Sequence, residues 1–134
     1  MRYFHGLYAI LALSDRWGLT LGLDTGSQQE AKGSSATDWW VNPQAVLRYQ
    51  VSDRVSVAGR VEYYDDRNGV IVSPTGAGFR TLGLSANVDW SLRDNVLWRF
   101  EARGFDSRDD VFTERDGTPK DDNFALTTSL AVGF

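Results

Sequence analysis

The chain has 134 residues, enough for one domain and too few for two comfortable ones. Hydrophobic residues make up 42%, which excludes general disorder, yet no run approaches the roughly 18 apolar residues of a spanning helix. There is no cysteine and the net charge is -4, which sets aside disulfide frameworks, thiolate metal sites and nucleic-acid partners.

The first segment, "MRYFHGLYAILALS", pairs a basic residue with an apolar run and so loosely resembles a secretory leader. His5 and Gly6 interrupt the run and no small-x-small cleavage site follows, so it reads as a strand over 2–13 with poorly defined faces. The next strands alternate with a period of two, which places successive side chains on opposite faces. Over 17–28, Trp17, Leu19, Leu21 and Leu23 oppose Gly18, Thr20, Gly22 and Asp24. Over 38–51, Trp39, Val41, Ala45, Leu47 and Tyr49 oppose Trp40, Asn42, Gln44, Arg48 and Gln50. Pro43 falls inside that strand, and because proline has no N–H to donate, a local break is expected there.

Over 55–65, Val55, Val57, Val61 and Tyr63 oppose Ser56, Ala58, Arg60 and Glu62. Over 79–92, Leu82, Leu84, Ala86, Val88 and Trp90 oppose Gly83, Ser85, Asn87 and Asp89. Over 95–106, Val96, Trp98, Phe100 and Ala102 oppose Leu97, Arg99, Glu101 and Arg103. The last strand, 123–134, sets Phe124, Leu126, Leu130, Val132 and Phe134 against Ala125, Ser129, Ala131 and Gly133.

Three related stretches punctuate these strands: "LSDRW" (13–17), "VSDRV" (51–55) and "LRDNV" (92–96). Their aspartates Asp15, Asp53 and Asp94 recur at near-regular spacing, which predicts a repeated hairpin whose turn is set by Asp and Asn side chains. Longer polar connections alternate with the short turns, at 25–37, 65–78 and 106–123. Short turns at one end and long loops at the other is the layout of an outer-membrane barrel. The expected fold is therefore all-β, an antiparallel transmembrane β-barrel domain over 1–134.

Aromatics support the membrane reading over a soluble barrel or sandwich. Trp17, Tyr49, Trp90, Trp98 and Phe134 fall near the short turns or the C-terminus of the apolar face. Tyr3, Trp39, Tyr63, Phe79 and Phe124 are expected on the same face near the long loops. Two aromatic bands around an aliphatic zone match the girdles at the two membrane–water interfaces.

Seven strands leave the first and last running in the same direction, whereas bacterial barrels have even counts and antiparallel seams. This predicts the C-terminal part of a larger barrel, or an eighth strand hidden in a loop, for which "GVIVS" (69–73) is the candidate.

The stretches "RVEYYDDRNGV", "LWRFEARGFDSRDDVF" and "NFALTTSLAVGF" resemble the C-terminal part of the OmpL-like β-barrel porin family. That resemblance implies an outer-membrane pore for passive diffusion of small hydrophilic solutes. A terminal apolar strand ending in Phe also resembles the signal read by the barrel-insertion machinery, with Leu126, Leu130, Val132 and Phe134 as its residues. Membrane lipid and lipopolysaccharide are the further expected partners.

The polar face supplies Arg48, Arg60, Glu62, Asp89, Arg99, Glu101 and Arg103 as candidate lumen-lining residues. With Asp24 the charges balance, which predicts weak charge selectivity. The third long loop carries seven acids against three bases without Ca²⁺-loop spacing, and reads as solvated, with "ERDGTPK" (114–120) as turn chemistry. His5 is the only histidine and no nucleophile signature accompanies it, so no enzyme and no cofactor is expected. The alternative function is a small non-conducting barrel whose acidic loops bind a partner or surface.

Overall fold

In the computed structural model, which describes residues 1–30, 35–72 and 78–134, seven long strands form one antiparallel sheet. They are β1 (Arg2–Ala12), β2 (Trp17–Gln29), β3 (Thr37–Ser52), β4 (Val55–Asp66), β5 (Phe79–Arg93), β6 (Val96–Ser107) and β9 (Asp122–Val132). Two short strands, β7 (Phe112–Thr113) and β8 (Pro119–Lys120), make a small hairpin inside the connection from β6 to β9. Each long strand pairs with its neighbour in sequence, so the sheet is an up-and-down meander. It is not closed: β1 and β9 are its edges, and the alternation of directions makes them parallel to one another.

The three short turns repeat in structure as well as in sequence. The backbone carbonyls of Arg16, Arg54 and Asn95 accept the N–H groups of Gln50, Ser91 and Gly133 at 2.8, 2.8 and 2.9 Å. Each turn is thereby tied to the end of the following hairpin, and the tie occupies the same place in every repeat. Serine rather than aspartate does most of the side-chain work: Ser14 Oγ accepts the N–H groups of Arg16 and Trp17, and Ser52 Oγ that of Arg54. A serine hydroxyl one residue earlier is placed to meet the same backbone donors.

The register keeps every strand's apolar set on one face. Leu11, Leu19, Leu47, Gly59, Ala86, Ala102 and Leu126 are successive cross-strand partners. The register also resolves β1: Tyr3, His5, Leu7, Ala9 and Leu11 share the apolar face, and Phe4, Tyr8 and Ile10 the polar one. Pro43 does not break β3, which stays continuous and fully paired to β2. The ladder to β4 skips Asn42 and Pro43, so the missing donor is felt on one side only.

Two further expectations change. Phe79 lies on the polar face, because it pairs with Asp66, two residues beyond the inward Tyr64. Residues 69–72 are not a strand; Ser73 of that candidate lies outside the described residues. They wrap around Asp66, whose fully buried carboxylate accepts the N–H groups of Val70, Ile71 and Val72 at 2.7, 2.7 and 2.9 Å. Gly69, at a φ of 65°, makes the reversal that brings them there.

Burial shows what this single layer lacks. Among the described residues Trp40 and Val111 are the buried hydrophobic side chains, while Leu7, Leu84 and Leu126 stand 71%, 55% and 76% exposed. Apolar area contributes about 25 cal/mol per Å² only when removed from water, so this sheet's apolar face has to be covered by something other than its own chain.

Substituting Asp66 by Ala leaves three backbone donors without their charged acceptor, each such bond contributing about 1.5–3 kcal/mol. Trypsin cleavage after the exposed Arg67 is expected to rise at least about tenfold, with the sheet's circular dichroism unchanged. Unchanged cleavage would show that the carboxylate does not hold the segment.

Candidate functional site: a charged wall on the polar face

The face opposite the leucines carries the chain's ordered charges. All seven charged candidates, Arg48, Arg60, Glu62, Asp89, Arg99, Glu101 and Arg103, share it, spread over β3 to β6. On that face β9 contributes small neutral residues, Ala125, Thr127, Ser129 and Ala131.

The register sets the electrostatics row by row. Nearest the short turns, Arg99 donates two hydrogen bonds to Asp89, at 2.6 and 2.7 Å, and Asn87 donates a third at 3.0 Å. That fork-on-carboxylate pairing holds both charges in one plane. In the next row Arg48 has neutral partners: it donates to Gln50 Oε1 at 2.8 Å and to Ser56 Oγ at 3.3 Å. One row further, Arg60, Ser85 and Arg103 are direct cross-strand neighbours. Glu62 sits one row beyond them, donated to by Arg60 at 2.7 Å and also by Arg103.

Glu62 and Arg103 belong to strands separated by β5, and the side chain crosses that strand over Gly83. A Cβ at position 83 would fall 2.7 Å from Glu62 Oε1 and 2.8 Å from its Cγ, closer than packed atoms tolerate. Gly26 plays the same part for Trp40, whose Nε1 would lie 2.6 Å from an added Cβ. On this face glycine is the floor over which a neighbour's side chain lies.

Toward the long-loop end the wall turns aromatic. Trp40 stacks between Phe4 and Tyr64, with centroids at 5.5 and 5.8 Å. Tyr64 meets Phe79 edge-on, and Phe112 of the β7–β8 hairpin packs against both Phe79 and Phe105. This chain of rings fastens the third loop to the polar face, helped by the Arg80–Asp109 pair at 3.2 Å. The loop's other acids are partly neutralised in place: Lys120 pairs with Asp122 at 3.2 Å and with Glu114 at 3.5 Å. The neighbouring Asp122 carboxylate, the main cause, raises the Lys120 pKa above its ordinary value.

Alternation could have revealed the ring chain. Trp39 is followed at once by Trp40, and Tyr63 by Tyr64, so one member of each pair has to face away from its neighbour. The cross-strand reach of Glu62 had no such signal, because it depends on register.

The candidate interface aromatics Trp17, Tyr49, Trp90 and Trp98 stand on the apolar face beside the short turns, and Trp39, Tyr63 and Phe124 near the long loops. Trp17 and Tyr49 pack at 4.6 Å. Phe134 lies just beyond the end of β9, whose apolar face presents Leu126, Leu130 and Val132. The one hydroxyl in that row, Thr128, is satisfied locally: it accepts from Trp98 Nε1 at 2.7 Å and donates to the Arg99 carbonyl at 3.1 Å. Between the aromatic bands, Gly59, Ala86 and Ala102 leave an open furrow of about 860 Å³, walled by Leu47, Val57, Phe100 and Leu126.

Residues 1–134, the whole chain, match the protein family described as beta-barrel porin-2, OmpL-like. No curated protein and no solved structure matches the chain.

Truncating Trp40 to Ala would empty the centre of the ring stack above Gly26. A loss of about 3–5 kcal/mol is expected in urea unfolding of the detergent-folded chain, the usual range for removing a buried aromatic. A loss below about 1 kcal/mol would mean the stack is incidental to stability.

Proposed function

Since the chain belongs to the OmpL-like beta-barrel porin-2 family of outer-membrane porins, we propose that its seven strands form part of the wall of a water-filled barrel through which small hydrophilic solutes diffuse. The observation that carries this reading is the pairing of an exposed aliphatic face with a continuous charged face on one sheet. Lipid takes the first and water the second. Acyl chains fill the furrow over Gly59, Ala86 and Ala102, and the aromatics of the two bands lie at the headgroups.

Arg48, Arg60, Glu62, Asp89, Arg99, Glu101 and Arg103 then line the lumen. In wet surroundings such pairs contribute little to stability, about 0.2–1 kcal/mol each, and act mainly through the field that a passing ion meets. With Asp24 the wall holds four positive and four negative side chains, so charge selectivity is weak.

The free edges of β1 and β9 require further strands, because unpaired backbone groups are not tolerated in hydrocarbon. Additional strands joining the two edges make this sheet a segment of a larger closed barrel. The outer edge of β9, with Leu126, Leu130 and Val132 alternating toward Phe134, is the surface that insertion machinery would read. Lipopolysaccharide meets the long-loop end.

The test is reconstitution. The chain is folded in detergent, compared boiled and unboiled on a gel, and added to planar bilayers. Discrete conductance steps with weak ion preference, from an assembly in which several copies cover one another's free edges, are the expected result. A heat-shifted band with no conductance would overturn the pore and favour a packed barrel acting through its acidic loops.

A further inference from the structure

We propose that the Glu62 carboxylate occupies an anion clamp formed by Arg60 and Arg103, and that Gly83 is the residue that lets it do so. The inference rests on the reading of the polar face as water-facing. It adds a ligand class, small phosphate- or carboxylate-bearing solutes, and names the two residues that keep such solutes from being held.

The clamp is built from three elements. Arg60 on β4 and Arg103 on β6 flank Ser85 of β5 as direct cross-strand neighbours, so the two arginines start from the same row of the face. Both donate to the same oxygen, Oε1 of Glu62. Two cations converging on one carboxylate form a site already shaped for a planar or tetrahedral oxyanion, the geometry that guanidinium forks match best.

Two other acids share the face near the clamp, Asp89 and Glu101, the latter two residues before Arg103 on β6. The two oxygens of Asp89 are both engaged by Arg99. Arg48, one row away, bonds to neutral groups and adds positive potential. Arg103 is further fixed by its position over the Phe105 ring, at 4.6 Å.

The carboxylate arrives from β4 and has to cross β5 to meet Arg103. It does so by lying over Gly83, where any side chain would displace it. Glu62 is thus a tethered occupant. While it is in place the clamp carries one net positive charge and has no vacancy; once it is displaced or neutralised, two guanidiniums are open to a solute anion.

The experiment uses Glu62→Gln and Gly83→Val in the full chain folded in detergent, each first checked for the heat-shifted band. Inorganic phosphate is titrated calorimetrically at low ionic strength, and reversal potentials are measured in bilayers under a KCl gradient. Both variants are expected to bind phosphate at least about tenfold more tightly than the unaltered chain and to shift the reversal potential toward anions. Adding Arg60→Ala to Glu62→Gln is expected to abolish the gain.

If folded Glu62→Gln binds phosphate no better than the unaltered chain, the clamp does not exist. If only Gly83→Val fails to gain, or fails to fold, the assignment of Gly83 falls. Absence of conductance in the unaltered chain would count against the pore alone, since the calorimetry needs no channel.

Discussion

The structure depends on one constraint: an extended chain must pair every backbone N–H and C=O laterally, and in doing so it sorts its side chains onto two faces. The first half of that constraint produces the meander, in which each strand hydrogen-bonds to the next and three equivalent turns are stitched to the following hairpin by the carbonyls of Arg16, Arg54 and Asn95. The second half produces a layer with two chemistries and no interior. The aliphatic side chains of the apolar face, Leu7, Leu84 and Leu126 among them, stand exposed and find cover only outside this sheet. A porin wall is the setting in which such a layer is stable, because lipid replaces the missing core.

The polar face shows how a flat surface acquires organisation. Pairing runs along a strand, as from Arg60 to Glu62, and across strands, as from Arg99 to Asp89 and from Arg103 to Glu62, and glycine supplies the clearance for the longest reach. Gly26 lets Trp40 lie flat and begin the ring chain that anchors the third loop; Gly83 lets Glu62 reach past β5 to Arg103. A side chain at either glycine would strike the group lying over it and so disturb a contact between the two strands that flank it, Phe4–Trp40 at Gly26 and Glu62–Arg103 at Gly83.

Much of this was legible in the sequence, for a physical reason. A period of two is visible whenever one face is aliphatic, and it fixed the faces of every strand from β2 onward. The seven strand positions came out within one or two residues of those observed, as in 17–28 against Trp17–Gln29. β1 was opaque because Phe4, Tyr8 and Ile10 make its second face apolar as well, and only its register with β2 assigns them. The segment 69–72 looked like a strand by composition but follows a buried carboxylate that captures its donors. Phe79 resembles an interface aromatic by kind and by its place near a loop, yet its parity with Gly83 and Asn87 puts it on the polar face. The Arg60–Glu62–Arg103 arrangement is a property of register and of an absent side chain, neither of which a linear pattern encodes.

The central claim is that the aliphatic face meets lipid and the charged face meets water. Because the chain has no cysteine, single cysteines can be placed along β5 from position 82 to 90 and probed in liposomes with a charged, membrane-impermeant thiol reagent. The account predicts labelling at 83, 85, 87 and 89 and protection at 82, 84, 86 and 88. Uniform labelling, or the opposite parity, would contradict it.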